Sequence, residues 1–592
     1  MGAIPVPGGV SFRVWAPRAR NVAVIGDFCG WRTQRKTPLA RDHRDSGTWS
    51  GVVAGAGVGS QYRFLVRYGG PYLWRIDPFA RQVTGAAGNA VVFDPRQLEW
   101  GTTEFRMPAW EDLIVYELHI PTFGAGAHGP GTFWSAIGRL DHLAWLGITA
   151  VEVMPPFEFA GSVSWGYNPS HLFAIESSYG GPLAFAAFVR AAHERGIAVI
   201  LDVVHNHLGP GDLDLWRFDG WHRRGYGGSF FYNDRRAETP WGATRPNYQR
   251  KEVRNYLRDS ALMWLEDFRV DGLRFDGTNY IRSRWGDVRD PGQRIRGGHD
   301  YLAALTADLR SRQPWKLLIA EDMQSDPAVT RESADGGLGF HAQWAAGFVH
   351  PVRAALEAAR DEDRDIQAVA AALADEGRTP YERVIFTESH DEVANGKARL
   401  PETISPGAAD SWPARARAAL GLALVLTAPG IPMLFQGQDF LEDGWFDDRR
   451  PLDWDKQHRH AGFLHLVRQL IALRRNLTGV TRGLRDRHTA IIRADDARPV
   501  LAYHRWSHGG PGDDVVVVVN LSAQPLVDYR LGLPRPGEWR LRCNTAAPVF
   551  GIGPERPHAG DLVTTPDECD GHPQSAQLTI GPYAALVYSQ DP

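Results

Sequence analysis

The sequence predicts a (β/α)8 barrel, an α/β fold, flanked by an N-terminal β-sandwich and a C-terminal β-domain. Three observations carry that expectation. From about residue 105 to 480, near-continuous apolar runs alternate with helix-like segments, as parallel strands covered by helices require. That span of about 370 residues suits an eightfold βα unit with insertions. On either side of it the chain breaks into short strand-like runs punctuated by turn residues.

Each element can be justified in order. "VSFRVWAP", "NVAVIGDF" and "QYRFLVRY" are the strands of the first flank, residues 1–100. "LIVYELHI" opens the central segment, 101–480, as a first buried strand. "TFWSAIGRLDHLAWLG" follows as one helix, with Thr132 as N-cap and Gly147 at its end. "ITAVEVMP" is the second strand. "GPLAFAAFVRAAHERG" is a helix opened by Pro182 and closed by Gly196, and "IAVILDVVHNH" is the third strand. After an insertion of about residues 205–250, "EVRNYLRDSALMWLEDF" carries apolar residues on one helical face at Val253, Tyr256, Leu257, Ala261, Trp264, Leu265 and Phe268. "VDGLRFDG", "WKLLIAED", "RVIFTESHD" and "GIPMLFQGQ" continue the strand series, and "GFHAQWA" carries a weaker strand signal that completes eight. From 481 to 592, "PVLAYHRW", "DVVVVVNLS" and "AALVYSQ" form the second β-rich flank.

Composition narrows the function classes. A net charge of −4 gives no electrostatic basis for a nucleic-acid or anionic-membrane partner. No apolar run reaches the length of a membrane span, and "MGAIPVPGGV" lacks the pattern of a signal peptide. Three cysteines at no metal-like spacing argue against a disulfide scaffold and fit a reducing compartment, so a cytoplasmic location is expected. The 21 Trp, 17 Tyr and 26 Phe pack cores for the most part, but flat rings also stack on the apolar faces of sugars.

In a (β/α)8 barrel the reactive rim lies at the C-terminal ends of the strands. Those ends carry Asp202, Asn206 and His207 after the third strand, and Arg274 and Asp276 after the fourth. Glu321 and Asp322 follow the fifth, and Glu388, His390 and Asp391 follow the seventh. Arg274 and Asp276 are two apart and therefore share one strand face, where the cation favours the ionised carboxylate. A single acidic strand end is more often a turn former or helix cap than a catalyst. Carboxylates on several strand ends of one barrel are far harder to explain that way.

"DVVHNH", "GLRFDGTN", "LLIAEDM" and "FTESHDE", in this order, resemble the four conserved regions of the α-amylase family of glycoside hydrolases and transglycosylases. "WGYNPSHLFAIESSYGGP" and "GIPMLFQGQDF" resemble two supporting regions. "FRVWAPRARNVAVIGDFCGW" is similar to the glucan-binding-type module that precedes the barrel in some members. The resemblance implies Asp276 as nucleophile, Glu321 as general acid/base and Asp391 as a third carboxylate gripping sugar hydroxyls. It implies Arg274 as the group orienting Asp276, with Tyr167 stacking on the sugar and His207 and His390 hydrogen-bonding it. Asp202 and Trp165 complete the expected substrate-binding set. Retention of configuration would place the Asp276 and Glu321 carboxyls about 5–5.5 Å apart. No cofactor is implied. Calcium occurs near the position of Asn206 in some members, but no clear cage of ligands surrounds it in the sequence, so no metal is expected.

The acceptor of the glycosyl group is less determined. "RFDG", "ESHDEVANGK" and "RCNTAAPVFG" resemble glucan branching enzymes; "NHLGP", "TPWG" and "IAEDMQSDP" resemble maltooligosyltrehalose trehalohydrolases. The expected substrate is an α-1,4-glucan or maltooligosaccharide. Transfer to a glucan 6-hydroxyl ranks first, trehalohydrolase second and α-amylase-type hydrolysis third. A catalytically inactive glucan-binding protein is the alternative of another class.

Overall fold

A computed structural model of the chain describes residues 1–42, 47–126, 129–374, 379–553 and 559–592. Eight parallel strands close into a barrel in chain order. They are β1 (Val115–Leu118), β2 (Ala150–Val153), β3 (Ala198–Val203), β4 (Gly272–Phe275), β5 (Leu317–Ala320), β6 (Ala342–Trp344), β7 (Arg383–Ile385) and β8 (Ile431–Phe435). Every residue of these strands is buried, which is why they read as continuous apolar runs rather than alternating ones. The weak signal at "GFHAQWA" is a strand of three residues, short enough to escape periodicity.

The chain divides into two compact units. One comprises Met1–Met107, His119–Leu140 and Glu152–Phe340; the other comprises Pro108–Leu118, Asp141–Val151 and His341–Pro592. In the first, the N-terminal residues form two sheets. One runs Gly2–Val6, Gly9–Trp15, Thr48–Val53 and Ala40–Arg41, and the other centres on Asn21–Gly26 and Gln61–Arg67. The ring of Phe12 from one sheet meets that of Tyr62 from the other edge-on, with centroids 4.8 Å apart. This module is pinned to the insertion after β3: Arg75 donates from Nε to the Phe218 carbonyl at 3.0 Å and from Nη2 to that of Arg217 at 2.8 Å.

Helix α1 (Gly181–Glu194) starts with Pro182 in its first turn, where the missing N–H costs nothing, and is followed by Gly196 at φ 71°. Helix α2 (Lys251–Leu262) runs on through a π-helical turn over Met263–Asp267. All seven residues of its expected apolar face are buried. The single helix expected from Thr132 to Gly147 is instead two, Phe133–Ile137 and Leu140–Leu146. Thr132 does cap the first, accepting from the Ser135 amide at 3.3 Å. The helix then tightens, with the Gly138 amide donating to the Ser135 carbonyl at 3.2 Å, and glycine lacks the helix propensity to carry the turn through.

In the second unit, the C-terminal residues build a six-stranded sheet around Val515–Asn520 and Ala584–Ser589, plus a two-stranded ribbon. The fully buried Arg505 ties this sheet to the helix Trp412–Thr427, donating to the Thr427 carbonyl at 2.6 Å.

Candidate active site

The site is assembled by register. In the β3–β4 ladder Asp202 lies opposite Arg274, so the two side chains leave the barrel at one level. Two further backbone bonds carry the ladder past the strand ends. The Asp276 amide donates to the Val203 carbonyl at 3.0 Å, and the Glu321 amide to the Phe275 carbonyl at 2.9 Å. Asp276 and Glu321 therefore stand just beyond the ends of neighbouring strands.

Arg274 joins them. Its guanidinium is fully buried and spans three carboxylates: Nη1 lies 2.6 Å from Asp202 Oδ2 and 3.1 Å from Asp276 Oδ1, and Nη2 lies 3.0 Å from Glu321 Oε2. Burial by itself would lower the Arg274 pKa. The charges of Asp202, Glu321 and Asp276, with Tyr167, outweigh it and hold the group well above its ordinary value. The cation is thus permanent at any working pH. The planar fork lets one residue serve carboxylates on three strands, which a point-charge ammonium cannot do.

Further donors hold the same carboxylates. Asn206 donates from Nδ2 to Asp276 Oδ2 at 2.7 Å and to the Asp276 carbonyl at 3.2 Å, while its Oδ1 accepts from His207 Nδ1 at 2.6 Å. The Gly277 amide donates to Glu321 Oε2 at 2.8 Å. Gly277 sits at φ 47°, and a Cβ there would come within 2.3 Å of Asn206 Nδ2. Only glycine lets the backbone pass the amide that orients Asp276.

Tyr167 donates its hydroxyl to Asp202 Oδ2, and its ring centroid lies 5.7 Å from the Arg274 guanidinium carbon. Its loop is shaped by Gly166 at φ 95°, where a Cβ would meet the Pro155 carbonyl oxygen at 2.0 Å. Trp165, half-buried, lies on the same loop.

The end of β7 is organised within the second unit. Glu117, buried at the C-terminal end of β1, accepts from the His390 amide at 3.1 Å and pairs with His390 Nδ1. His390 Nε2 then lies 3.6 Å from Asp391 Oδ2, whose side chain is 45% exposed. Asp391 is by this measure the open carboxylate of the set, against 12% for Asp276 and 15% for Glu321.

Two rim carboxylates turn away from this chemistry. Glu388 is buried on Arg399 at 3.2 Å and accepts from the Leu400 amide at 2.7 Å. Asp322 is buried with Arg282 and accepts from the Thr278 hydroxyl at 3.1 Å. Both have structural partners: Glu388 is held by a buried cation and a backbone amide, and Asp322 by a buried cation and a hydroxyl on one of its oxygens.

Three contributors lie outside the sequence-derived set. Glu117 is embedded in "LIVYELHI", where a lone acid in an apolar strand was the available signal. Asn206, noted only as a strand-end residue, is the link between His207 and Asp276. Trp241, 44% exposed in the insertion, stacks on His207 with ring centroids 4.5 Å apart and an interplanar angle of 18°. It is the Trp of "TPWG", a motif noted for its resemblance but not as a site residue.

Burial pushes His205 and His207 down to about 3; for His207 a hydrogen bond with the Tyr167 backbone opposes the shift. Both imidazoles are neutral in the folded protein above that pH, while in the unfolded chain they charge below about 6.5. The unfolded state thus binds more protons as pH falls from about 6.5 towards 3, and the folded state loses stability over that window. The expected result is a His207 ring resonance unchanged by NMR between pH 8 and 5. A midpoint near 6.5 would contradict the buried, neutral assignment.

Residues 1–80 match carbohydrate-binding module 48 (isoamylase N-terminal domain), residues 115–213 the α-amylase catalytic domain, and residues 491–591 the α-amylase C-terminal all-beta domain. A protein of Xanthomonas campestris named 1,4-alpha-glucan branching enzyme is 33% identical over 99% of this chain and 81% of the relative. One of the same name from Salinibacter ruber is 31% identical over 99% of this chain and 96% of the relative. The chain belongs to the α-amylase family. At the level of fold, it superposes over its whole length on the type I pullulanase of Bacillus subtilis (TM-score 0.77, 22% identity, 85% of that chain). It does so too on the pullulanase of Paenibacillus barengoltzii (TM-score 0.76, 22% identity, 94% of that chain).

Proposed function

We propose that the protein is a retaining 1,4-α-glucan branching enzyme, with an N-terminal module over 1–100, a catalytic barrel over 101–480 and a C-terminal domain over 481–592. The observation that carries the reading is the single buried guanidinium of Arg274 in contact with both Asp276 and Glu321. A retaining pair requires the two carboxyls about 5–5.5 Å apart rather than at the wider gap that seats a water, and a shared fork favours that close approach.

Asp276, oriented by Arg274 and Asn206, attacks the anomeric carbon while Glu321 protonates the departing glycosidic oxygen. The glycosyl group is then bonded to Asp276 Oδ. Glu321, now ionised, takes the proton of an acceptor hydroxyl, which displaces Asp276 and regenerates both acids. Tyr167 and Trp165 offer ring faces to the sugar at the bond being broken. The choice of a glucan 6-hydroxyl over water as acceptor is supported by the near full-length similarity to proteins that bear the branching-enzyme name. The three cysteines, all free thiols, fit action in the cytoplasm.

Incubation with amylose is the test. Loss of iodine colour together with new α-1,6 proton signals and no rise in reducing ends is the expected result. Reducing ends rising in step with colour loss would make the enzyme a hydrolase. Trehalose released from maltooligosyltrehalose, with no branching, would also overturn the assignment.

A further inference from the structure

In the first unit, the insertion after β3 and the loop beyond Ser283 enclose a pocket of about 450 Å³ that the glucan chemistry does not use. Its size falls within the range of ligand sites, about 300–1,000 Å³. Arg224, Arg235, Arg236, Arg284 and Arg294 line it, and Asp234 is the carboxylate among its walls. In a chain of net charge −4 this is a local concentration of positive charge.

The five arginines divide into two groups. Arg236 is engaged by Asp234 at 2.6 Å and by Gln249 Oε1 at 2.8 Å, and Arg284 is paired with Glu238. These two belong to the frame. The frame is locked by the fully buried Arg245, which donates to the Arg236 carbonyl at 2.6 Å and to the Arg284 carbonyl at 2.8 Å, so it clamps both walls. Arg217 similarly pins the loop carrying Arg224, donating from Nε to the Tyr226 carbonyl at 3.2 Å and from Nη2 to the Gly225 carbonyl. Arg224, Arg235 and Arg294 form the second group. All three are exposed, and none has an ion-pair partner among the described residues.

Unneutralised guanidiniums gathered in one concavity on a rigid frame repel one another unless an anion joins them. A neutral glucan gains nothing from such a set, and a single carboxylate occupies one fork. A phosphomonoester carries two charges and three terminal oxygens, each able to accept from a planar fork.

We propose that this pocket binds a phosphomonoester carried on a sugar, a site separate from the one that breaks the glycosidic bond. The wall that carries Arg235 and Arg236 continues directly to Trp241, which stacks on His207. An ester held here therefore lies on the same loop as the ring covering the active-site imidazole.

The test uses the full chain and titrates inorganic phosphate at constant ionic strength, read by calorimetry. Saturable binding is expected, weakened at least tenfold in the double variant Arg235→Ala/Arg294→Ala, whose turnover of amylose without phosphate should be unchanged. The charge-reversed Arg235→Glu supplies an independent variant and should also bind at least tenfold more weakly. Absence of saturable binding, or equal affinity in wild type and both variants, would overturn the proposal whatever the outcome of the amylose assay. With binding in hand, a free hexose 6-phosphate is compared with a maltooligosaccharide bearing a 6-phosphate. Tighter binding of the oligosaccharide identifies a phosphorylated glucan as the source, and equal binding identifies the free sugar phosphate.

Discussion

Replacing Asp276 by Asn is expected to lower kcat on amylose by about 10⁴-fold or more while the protein stays folded. The size of the loss follows from the role: an amide cannot form the covalent bond to the anomeric carbon, so the step is removed rather than slowed. The fold should tolerate the change for a local reason. Arg274 keeps Asp202 at 2.6 Å and Glu321 at 3.0 Å, so no buried cation is stranded. The amide loses one favourable contact, since Asn206 and Arg274 both present N–H groups to that side chain. A melting temperature within a few degrees of wild type, alongside lost turnover, is the expected pair of measurements. Activity within tenfold of wild type would remove Asp276 from the chemistry.

Replacing Arg274 by Lys should lower kcat/KM by about 10²-fold, the scale of losing one preorganised electrostatic contact. An ammonium keeps the charge but not the reach. Nη1 and Nη2 serve acids from three strands, and a single nitrogen cannot sit within 3.1 Å of Asp202, Asp276 and Glu321 in the same geometry. The pH profile carries a second readout. A cation favours the ionised form of its neighbours, so a displaced or more weakly placed charge lets Asp276 protonate more readily. The acidic limb of the activity profile should therefore move to higher pH, as a property of the coupled carboxylates rather than of one residue. Arg274→Ala leaves three largely buried carboxylates facing one another and should cost about 3–5 kcal/mol of stability, read from denaturant unfolding. A Lys variant with full activity and an unmoved limb would reduce Arg274 to a structural ion pair.

The barrel was legible because its strands are buried on both faces. Burial of that kind leaves uninterrupted apolar runs such as "AVILDV", which no loop or amphipathic helix imitates. Arg274 and Asp276 were legible for the complementary reason, as charges that interrupt such a run at a spacing of two. What escaped was information held between segments. That Arg274 also touches Glu321 depends on the β4–β5 register, which places Arg274 opposite Ile319 and Glu321 just beyond. Glu388 and Asp322 look like members of the rim in the sequence, but their partners Arg399 and Arg282 engage them in buried ion pairs. Glu117 was hidden in the opposite way, as one acid inside an apolar strand whose partner, His390, lies far along the chain. The break at Gly138 turned on a local hydrogen bond within a segment whose periodicity alone favours one helix.

The claim that binds these arguments together is that Asp276 becomes covalently glycosylated, and it can be observed directly. In a Glu321→Gln variant the acid/base is gone, yet an α-maltooligosyl fluoride needs no protonation of its leaving group. Glycosylation of the enzyme should proceed and its discharge to an acceptor should stall. Acid quenching, proteolysis and mass spectrometry are then expected to find the oligosaccharide esterified to the peptide containing Asp276. An unmodified protein despite release of fluoride, or a label on Asp202 or Asp391 in place of Asp276, would contradict the account.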